Sequence, residues 1–287
     1  GKKIEDVRIV LNGAGAAGIA CLELLKAMGA KHDNCIMCDT KGVIYQGRTD
    51  GMNQWKSAHA ANTEMRTLEE AMKGADVFLG VSVKGAVTPD MVASMADNPV
   101  IFAMANPTPE IMPDEARKAR PDAMICTGRS DFPNQINNVL GFPFVFRGAL
   151  DVGATEINDA MKLACVEAIA GLARETTSAE VGQAYQGEKL AFGPDYLIPK
   201  PFDPRLLPTI AVAVAKAAID SGVATKAIDI DTYRQALEAQ VFRSRLIMRP
   251  VFEAAKMSKR RIIFAEGESD RVLRTAQAMI EETVDTP

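Results

Sequence analysis

Glycines near the start of the chain have the spacing of a loop that binds phosphate groups. Residues 13–18 read GAGAAG and follow the strand-like run 7–12 directly. In a G-x-G-x-x-G loop between a strand and a helix, the first glycine permits a tight turn, the second lets a pyrophosphate approach the backbone, and the third lets helix and strand pack closely. The phosphates then lie on free N–H groups at the helix N-terminus, so the loop predicts a dinucleotide site. The residues expected to surround the pyrophosphate are Gly13, Gly15, Ala16, Ala17 and Gly18.

An acidic residue about 20 positions beyond such a loop completes the dinucleotide-binding pattern. Asp39 holds that place, at the end of the apolar run Cys35–Cys38. A carboxylate there accepts a hydrogen bond from the 2′-hydroxyl of the adenosine ribose and repels a 2′-phosphate, which favours NAD. Lys41, Arg48 and Lys56 follow closely in the sequence, and they carry the positive charge that the 2′-phosphate of NADP requires. These residues leave the choice between the two cofactors open.

Amide side chains follow two later strand patterns. Asn106 comes directly after the apolar run 99–105, and Asn137 and Asn138 close the polar run 127–138. Ligands bind beyond the carboxyl ends of the strands in a doubly wound sheet, so these amides are expected near the cofactor. Asparagine offers both donors and an acceptor to a ribose or a small polar substrate. For Asn106 an ordinary Asn-Pro turn is an equally good interpretation.

The chain offers few groups for acid–base or metal chemistry. Its histidines, His32 and His59, fall near polar loops on the adenine side of the predicted fold, and His59 is expected at the surface. Hydride transfer from an alcohol needs a base within reach of the hydroxyl. Cys35 and Cys38 form a C-x-x-C pair, but an offset of three on a strand directs the two side chains to opposite faces. We interpret them as buried apolar residues, and no catalytic residue or metal ligand is assigned.

The order of the elements predicts an α/β fold, with a doubly wound, mostly parallel sheet that is Rossmann-like and a C-terminal helical extension. The expected strands are 7–12, 35–39, 76–81, 99–105, 123–126 and, near the end of the chain, 262–265. The expected helices are 19–28, 68–73, one beginning at 88–90, 114–120, 154–175, 206–221, 232–249 and one from 266 through 279. We expect a dinucleotide-binding domain over 1–150, a helical extension over 151–256 and the start of a further domain over 257–287.

Composition limits the classes of function. Of the 287 residues, 47% are hydrophobic and 24% are charged, as is ordinary for a globular protein. A net charge of −4 and the lack of basic runs argue against a nucleic-acid-binding groove. The sequence shows neither an apolar stretch of about 18 residues nor a secretory signal. We therefore expect a cytoplasmic protein that does not cross a membrane.

Longer motifs resemble one enzyme family. The glycine loop, the run 102–108 (FAMANPT) and the run 130–138 (SDFPNQINN) together resemble the cofactor domain of malic enzymes. Residues 141–151 and 198–205 resemble the bacterial branch of that family. Residues 261–268 resemble the start of the phosphotransacetylase-like domain that large bacterial malic enzymes carry at their C-terminus. The resemblance covers nearly the whole chain and implies a fragment of a multidomain malic enzyme.

The resemblance implies oxidative decarboxylation of malate to pyruvate and CO2 with reduction of NAD or NADP. It also implies an Mg or Mn ion that polarises the forming carbonyl. In the family the tyrosine acid, the lysine base and the acidic metal ligands lie upstream of the strand that begins this chain. The resemblance places Asn106 and Asn138 against malate and Asn137 beside the nicotinamide ribose. Because relatives of this fused type are often NADP enzymes, it slightly favours NADP.

The resemblance further favours a dimer or larger homo-oligomer, and it makes acetyl-coenzyme A a candidate regulator through the missing part of the C-terminal domain. Alone, the chain is expected to bind dinucleotide without turning over malate. Two other interpretations stay open. One is the nucleotide domain of an amino-acid dehydrogenase, which shares the fold but should lack the asparagine loops. The other is a non-catalytic dinucleotide-sensing module that docks through Arg243, Arg245 and Arg249.

Overall fold

A six-stranded sheet organises the first half of the chain. The computed structural model describes residues 2–175, 190–241, 263–269 and 272–273. The strands are β1 (Ile9–Asn12), β2 (Cys35–Asp39), β3 (Gly42–Val43), β4 (Val77–Gly80), β5 (Val100–Ala103) and β6 (Met124–Thr127). Their order is β3-β2-β1-β4-β5-β6, with β3 antiparallel to β2 and every other pair parallel. The predicted parallel, doubly wound sheet is confirmed.

Helices connect the strands and continue beyond the sheet. They are α1 (Ala16–Ala27), α2 (Gln54–Ser57), α3 (Leu68–Met72), α4 (Pro89–Ala93), α5 (Pro113–Ala119), α6 (Phe142–Asp151), α7 (Asp159–Arg174), α8 (Leu206–Asp220) and α9 (Ile230–Val241). Local chemistry explains their ends: the Thr88 side chain accepts from the backbone N–H of Met91 at the start of α4, and Gly29, at φ +109°, follows α1. None of the helices in the described segments is both long and apolar enough to cross a bilayer.

The strand order creates a topological switch point between β1 and β4. From β1 the chain turns to β2 on one side, then returns past β1 to β4 and continues outward through β5 to β6. Asn12, the last residue of β1, pairs with Cys38 on one side and Gly80 on the other, and Gly80 pairs with Ala103. The loops that follow these strands therefore leave the sheet at one level. In open α/β sheets, ligands bind in the crevice at such a point.

Apolar side chains on both faces of the sheet form its core. Val10, Phe78 and Ile101 belong to one buried cluster, whereas Leu11 and Met37 belong to another, and all five are at most 2% exposed. Parallel strands covered on both faces have this continuous burial. Helices and loops must therefore cover both faces of the sheet, which leaves the strand ends as the accessible positions.

The cysteines of the C-x-x-C pair belong to these two different clusters. Cys35 packs with Leu11, and Cys38 packs with Val10, which confirms that the thiols face opposite sides of the sheet. Burial raises the pKa of Cys35, and it raises the pKa of Cys38 to about 12. A thiol binds metal as its thiolate, so these groups are poor ligands. Over the described parts of the chain, no group of three or more His, Cys, Asp or Glu side chains is placed to hold a metal ion.

The helical extension packs around α8. Buried residues from α7 and α8, including Met161, Leu172 and Ile210, form a cluster that α6 also joins. No helix was expected over 142–151, where the structure has α6. Pro143 is tolerated in the first turn of α6, and a Cβ on Gly148 would lie 2.5 Å from the carbonyl oxygen of Ala211, so α6 approaches α8 closely. The domain boundary at residue 150 stays a prediction.

The expected strand at 262–265 is not formed in the part that the structure describes. Residues 263–265 have no strand assignment, and Ile263 is 94% exposed. A strand needs a neighbour for its backbone hydrogen bonds, and none of the described strands pairs with this run. Of the helix expected from 266, the structure describes helical backbone at residues 272–273. Arg243, Arg245 and Arg249, with the second half of the helix expected over 232–249, lie outside the described residues.

Candidate cofactor site

The glycine loop has the tight geometry that its sequence predicts. Gly13 has a φ of +122°, and a Cβ there would lie 2.4 Å from the carbonyl oxygen of Val81, in the loop after β4. A Cβ on Gly18 would lie 1.9 Å from the carbonyl oxygen of Gly13 and 2.9 Å from Leu11 Cδ2. Gly13 therefore excludes a side chain by its backbone conformation and its contact with Val81, and Gly18 excludes one because α1 packs closely on β1.

Gly15 differs from its neighbours because it faces open space. It is the N-cap of α1, and a Cβ added there would meet no atom within 4 Å. Gly15, Ala16 and Ala17 are exposed, and the first turn of α1 carries no acidic side chain. The first N–H groups of a helix have no partner within the helix, and the helix dipole favours an anion there. A pyrophosphate fits this loop by both space and charge.

Asp39, at the end of β2, is enclosed by cations. Arg48 Nη2 donates to both carboxylate oxygens at 2.8 Å, Lys56 Nζ donates to Oδ2 at 2.7 Å, and the backbone N–H of Lys41 donates to Oδ1 at 2.9 Å. The Asp39 side chain is 8% exposed. Burial raises its pKa, but the hydrogen bonds from Lys56 and Arg48 outweigh burial, so the pKa is lowered. These four hydrogen bonds are as many as a carboxylate accepts, which leaves Asp39 no acceptor position for a ribose hydroxyl.

The surroundings of Asp39 carry more positive than negative charge. The ammonium group of Lys41 pairs with Asp50, and both side chains are exposed to solvent. Arg48 also donates to the carbonyl oxygens of Gly42 and Val43, at 3.2 and 3.0 Å, which fixes its guanidinium in place. Three cations thus face two carboxylates at the end of β2.

The three predicted amides lie at neighbouring strand ends. Asn106 follows β5, Asn137 and Asn138 follow β6, and all three are exposed. Asn137 Oδ1 accepts from the backbone N–H of Val139 at 3.0 Å, at the start of the 3-10 helix Asn138–Leu140. A bridge between Gln135 and Thr127 returns the loop to the end of β6, and β6 is adjacent to β5, so the fold brings these residues to one edge of the sheet. Their contacts with ribose and malate stay predictions.

Asn134 is a buried residue that the sequence analysis did not single out. It is 3% exposed, and its Nδ2 donates to the carbonyl oxygens of Ile125 at 3.1 Å and Pro194 at 2.7 Å. Its Oδ1 accepts from the backbone N–H of Leu197 at 2.7 Å. Asn134 therefore joins the loop after β6 to the segment before α8. The signal in the sequence was the density of amides in the run 127–138, which did not show which amide is buried.

Glu110 is a second buried residue that the pattern did not reveal. It is 0% exposed, and its Oε1 accepts from the backbone N–H and the hydroxyl of Ser82, at 2.8 and 3.0 Å. Its Oε2 accepts from the backbone N–H of Ala105 at 2.9 Å. The Ser82 hydroxyl accepts from Asn12 Nδ2 at 2.9 Å. One carboxylate thus connects the ends of β1, β4 and β5, and Ala105 directly precedes Asn106.

The expectation that His59 lies at the surface is wrong. His59 is 4% exposed, and its Nδ1 lies 2.9 Å from Lys26 Nζ, which also lies 2.8 Å from His32 Nδ1. His59 is buried because the two residues that follow it, Ala60 and Ala61, pack in the apolar clusters of the sheet. The three residues form a cluster between α1 and the segment after α2.

Comparison with known proteins now decides the family. The family description "Malic enzyme, NAD binding domain" matches residues 1–185, well over half of the chain. The chain belongs to the malic enzyme family. Residues 246–287 match the phosphate acetyl/butaryl transferase family, in agreement with the resemblance at 261–268. Membership of the malic enzymes rules out the interpretation as the nucleotide domain of an amino-acid dehydrogenase.

The relatives of this chain include malic enzymes that are named for NADP and others that are named for NAD. The NADP-dependent malic enzyme of Rhizobium meliloti is 56% identical over 287 residues, and the NAD-dependent malic enzyme of the same organism is 57% identical over 289. Each alignment covers 100% of this chain but 38% of the relative. The crystal structure of malic enzyme from Pyrococcus horikoshii matches with a TM-score of 0.73 and 32% identity, over 87% of this chain and 56% of that one. The chain spans about two fifths of the length of these curated relatives.

Proposed function

We propose that this chain binds NADP or NAD as the cofactor-binding portion of a malic enzyme, which oxidises malate and releases pyruvate and CO2. The observation that carries the proposal is the open N-terminus of α1 at Gly15, beside the switch point between β1 and β4. The family match to the NAD-binding domain of malic enzymes supports it. The bound cofactor supplies the hydride acceptor, and this chain supplies the surface that holds and orients it.

Each expected site residue has a role in this proposal. The backbone of Gly13, Gly15 and the first turn of α1, from Ala16 to Gly18, holds the pyrophosphate. Asn137 orients the nicotinamide ribose, and Asn106 and Asn138 contact malate. The Mg or Mn ion, the base and the acid are supplied by parts of the enzyme outside this chain.

The charges at the end of β2 favour NADP over NAD. Asp39 has no acceptor position left for a ribose hydroxyl, since Arg48, Lys56 and the backbone of Lys41 occupy both oxygens. The surplus positive charge at this place suits a 2′-phosphate. Arg48 already donates its five N–H groups to Asp39, Gly42, Val43 and Asp50, so it acts through its charge. Lys56 donates two N–H groups, to Asp39 and Gly51, and has a third for a charge-assisted hydrogen bond. Asp39 therefore acts by holding Arg48 and Lys56 in place rather than by contacting the ribose.

The setting of the whole enzyme is also part of the proposal. We infer that it forms a homo-oligomer, that acetyl-coenzyme A regulates it through the transferase-like domain, and that it acts in the cytoplasm. The match of residues 246–287 to the transferase family supports a binding role for a coenzyme A thioester.

Titration of the chain with NADP+ and NAD+ in a calorimeter tests the proposal. Both cofactors are expected to bind, with NADP+ the tighter. Lys56→Gln removes one of the three cations, and with it the net positive charge, and should lower the preference for NADP+ about tenfold. Lys31→Gln, which removes an exposed lysine paired with Asp6 at 3.7 Å, serves as the matched control and should leave the preference unchanged. A folded chain that binds neither cofactor would refute the proposed function, and an unchanged preference in Lys56→Gln would refute the assignment of NADP.

A further inference from the structure

Glu110 carries a buried charge with no basic side chain beside it. Each of its oxygens accepts a backbone N–H group, which suits the ionised carboxylate because neither oxygen needs to carry a proton. The Ser82 hydroxyl accepts from Asn12 and so donates its own hydrogen to Glu110. Within the described segments, no lysine, arginine or histidine forms an ion pair with Glu110. Its negative charge is balanced by dipoles alone.

The sheet makes room for this carboxylate at the end of β4. A Cβ on Gly80 would lie 2.5 Å from Glu110 Cδ, so any larger residue at this position would displace it. Gly80 pairs with Asn12 of β1 and with Ala103 of β5. The carboxylate therefore lies directly beneath the loops that border the crevice, shielded from solvent.

The two halves of a dinucleotide extend to opposite sides of the switch point. The cations around Asp39 lie at the end of β2, which is the side of the adenosine ribose. The nicotinamide half must then extend across β1 to the ends of β4 and β5. Ser82 and Ala105, the two residues that Glu110 joins, lie at the start of the loops after these strands.

Charge distinguishes the two redox forms of the cofactor. The oxidised nicotinamide ring carries a positive charge, and addition of a hydride cancels it. A fixed negative charge within several ångströms stabilises the oxidised ring far more than the reduced one, because a protein interior screens charge less than water does. The orientation of the Ser82 and Ala105 dipoles toward Glu110 keeps that charge in place.

We propose that Glu110 gives this site a preference for the oxidised dinucleotide, by fixing a negative charge beneath the nicotinamide half while it holds the loops of Ser82 and Ala105 together. The inference rests on the proposed function. It makes Glu110 a specificity-determining and positioning residue, since the carboxylate acts through the loops and its electric field. The preference suits an enzyme that must take up NADP+ and release NADPH.

The ratio of two dissociation constants tests this inference. NADP+ and NADPH are titrated separately into the 287-residue chain and its variants. The wild-type chain should bind NADP+ more tightly than NADPH, and Glu110→Gln, which keeps the size of the side chain but removes its charge, should shift the ratio toward NADPH about tenfold. Ser82→Ala removes a neutral partner and Glu110→Asp keeps the charge, so both should retain the wild-type ratio even where both affinities fall.

The remaining outcomes distinguish a failure of the inference about Glu110 from a failure of the proposed function. Equal loss of affinity for both forms in Glu110→Gln would overturn the inference, because Glu110 would then only support the loops. If circular dichroism shows that Glu110→Gln is unfolded, the wild-type ratio decides, and NADPH binding as tight as NADP+ would overturn the inference. A folded wild-type chain that binds neither form contradicts the proposed function, whereas binding of both forms with no shift in Glu110→Gln contradicts only the role of Glu110.

Discussion

The ammonium group of Lys26 lies between two imidazole rings. It donates to Nδ1 of His32 and Nδ1 of His59, while His32 Nε2 lies 3.1 Å from the carbonyl oxygen of Ala60. His59 therefore accepts through Nδ1, as a neutral imidazole does. Burial lowers the pKa of His59, and the charge of Lys26 lowers it further, against the opposite effect of Glu23, whose Oε1 lies 3.8 Å from His59 Nε2. Protonation of His59 would place a positive ring against Lys26.

This contact predicts a loss of stability in weak acid. In the unfolded chain His59 binds a proton at about pH 6.5, whereas in the folded chain its lowered pKa means that it binds a proton only at a lower pH. Over that interval the unfolded state binds more protons, so the free energy of unfolding falls as the pH drops below about 6.5. His59→Asn keeps an acceptor for Lys26 but does not titrate. Thermal melts of both chains between about pH 5 and 7 should show a weaker pH dependence for the variant, and equal slopes would contradict this account.

Residue types and spacing predicted the backbone part of the site better than its side chains. The glycine loop depends on positions within six residues of one another, so local sequence contains the information. The partners of Asp39 lie 9 and 17 residues away, and Ser82 and Glu110 are separated by 28. These pairs form only when the loops at the strand ends fold over one another, so the charged residues were predictable from the sequence but their partners were not.

At the scale of elements, the loops after the strands are held by buried polar side chains. Asn134 connects the end of β6 to the segment before α8, and Glu110 connects the loops after β4 and β5. Most strand and helix positions followed from local patterns, whereas β3, α2 and α6 were not predicted. The packing of α6 against α8 through Gly148 depends on a helix some 60 residues later. The run 262–265 has strand propensity but no paired neighbour in the described sheet.

Removal of the Asn134 side chain should destabilise the chain. Asn134→Ala leaves two carbonyl groups and one N–H group without their partner in a buried place, and we expect the free energy of unfolding to fall by about 2–4 kcal/mol. Urea denaturation followed by circular dichroism measures this. Asn34→Ala is the matched control, because Asn34 makes one exposed hydrogen bond, at 2.9 Å to the carbonyl oxygen of Glu5, and should cost less than about 0.5 kcal/mol. Similar losses in the two variants would show that Asn134 does not hold these segments together.

At the scale of the whole molecule, the chain combines a region that matches the NAD-binding domain of malic enzymes with a region that matches the phosphate acetyl/butaryl transferases. The matches to two families lie at 1–185 and 246–287, and the chain covers 38% of relatives such as the NADP-dependent malic enzyme of Rhizobium meliloti. Fold and family were predictable from sequence because the motifs are long, while the interfaces with the rest of the enzyme depend on chain segments outside this one.

The family resemblance, which puts the acid, the base and the metal ligands outside this chain, predicts a chain that binds cofactor without turning over malate. Among the described residues, no group of three or more His, Cys, Asp or Glu side chains is placed to hold a metal ion. We expect no formation of NADPH when the chain is mixed with malate, NADP+ and Mn2+. Absorbance at 340 nm measures it, with a full-length relative as the positive control. Steady NADPH formation by the purified chain would mean that acid–base and metal-binding groups are present after all.

The central claim is that the dinucleotide lies on the N-terminus of α1 at Gly15, and calorimetric titration with NADP+ tests it most directly. Gly15→Val places a side chain where the pyrophosphate approaches, and Gly171→Val introduces the same change on α7, where a Cβ also meets no atom within 4 Å. Binding to the wild-type and Gly171→Val chains, with a loss of about 100-fold or more in Gly15→Val, is the predicted result. Unchanged affinity in a folded Gly15→Val chain would contradict the claim.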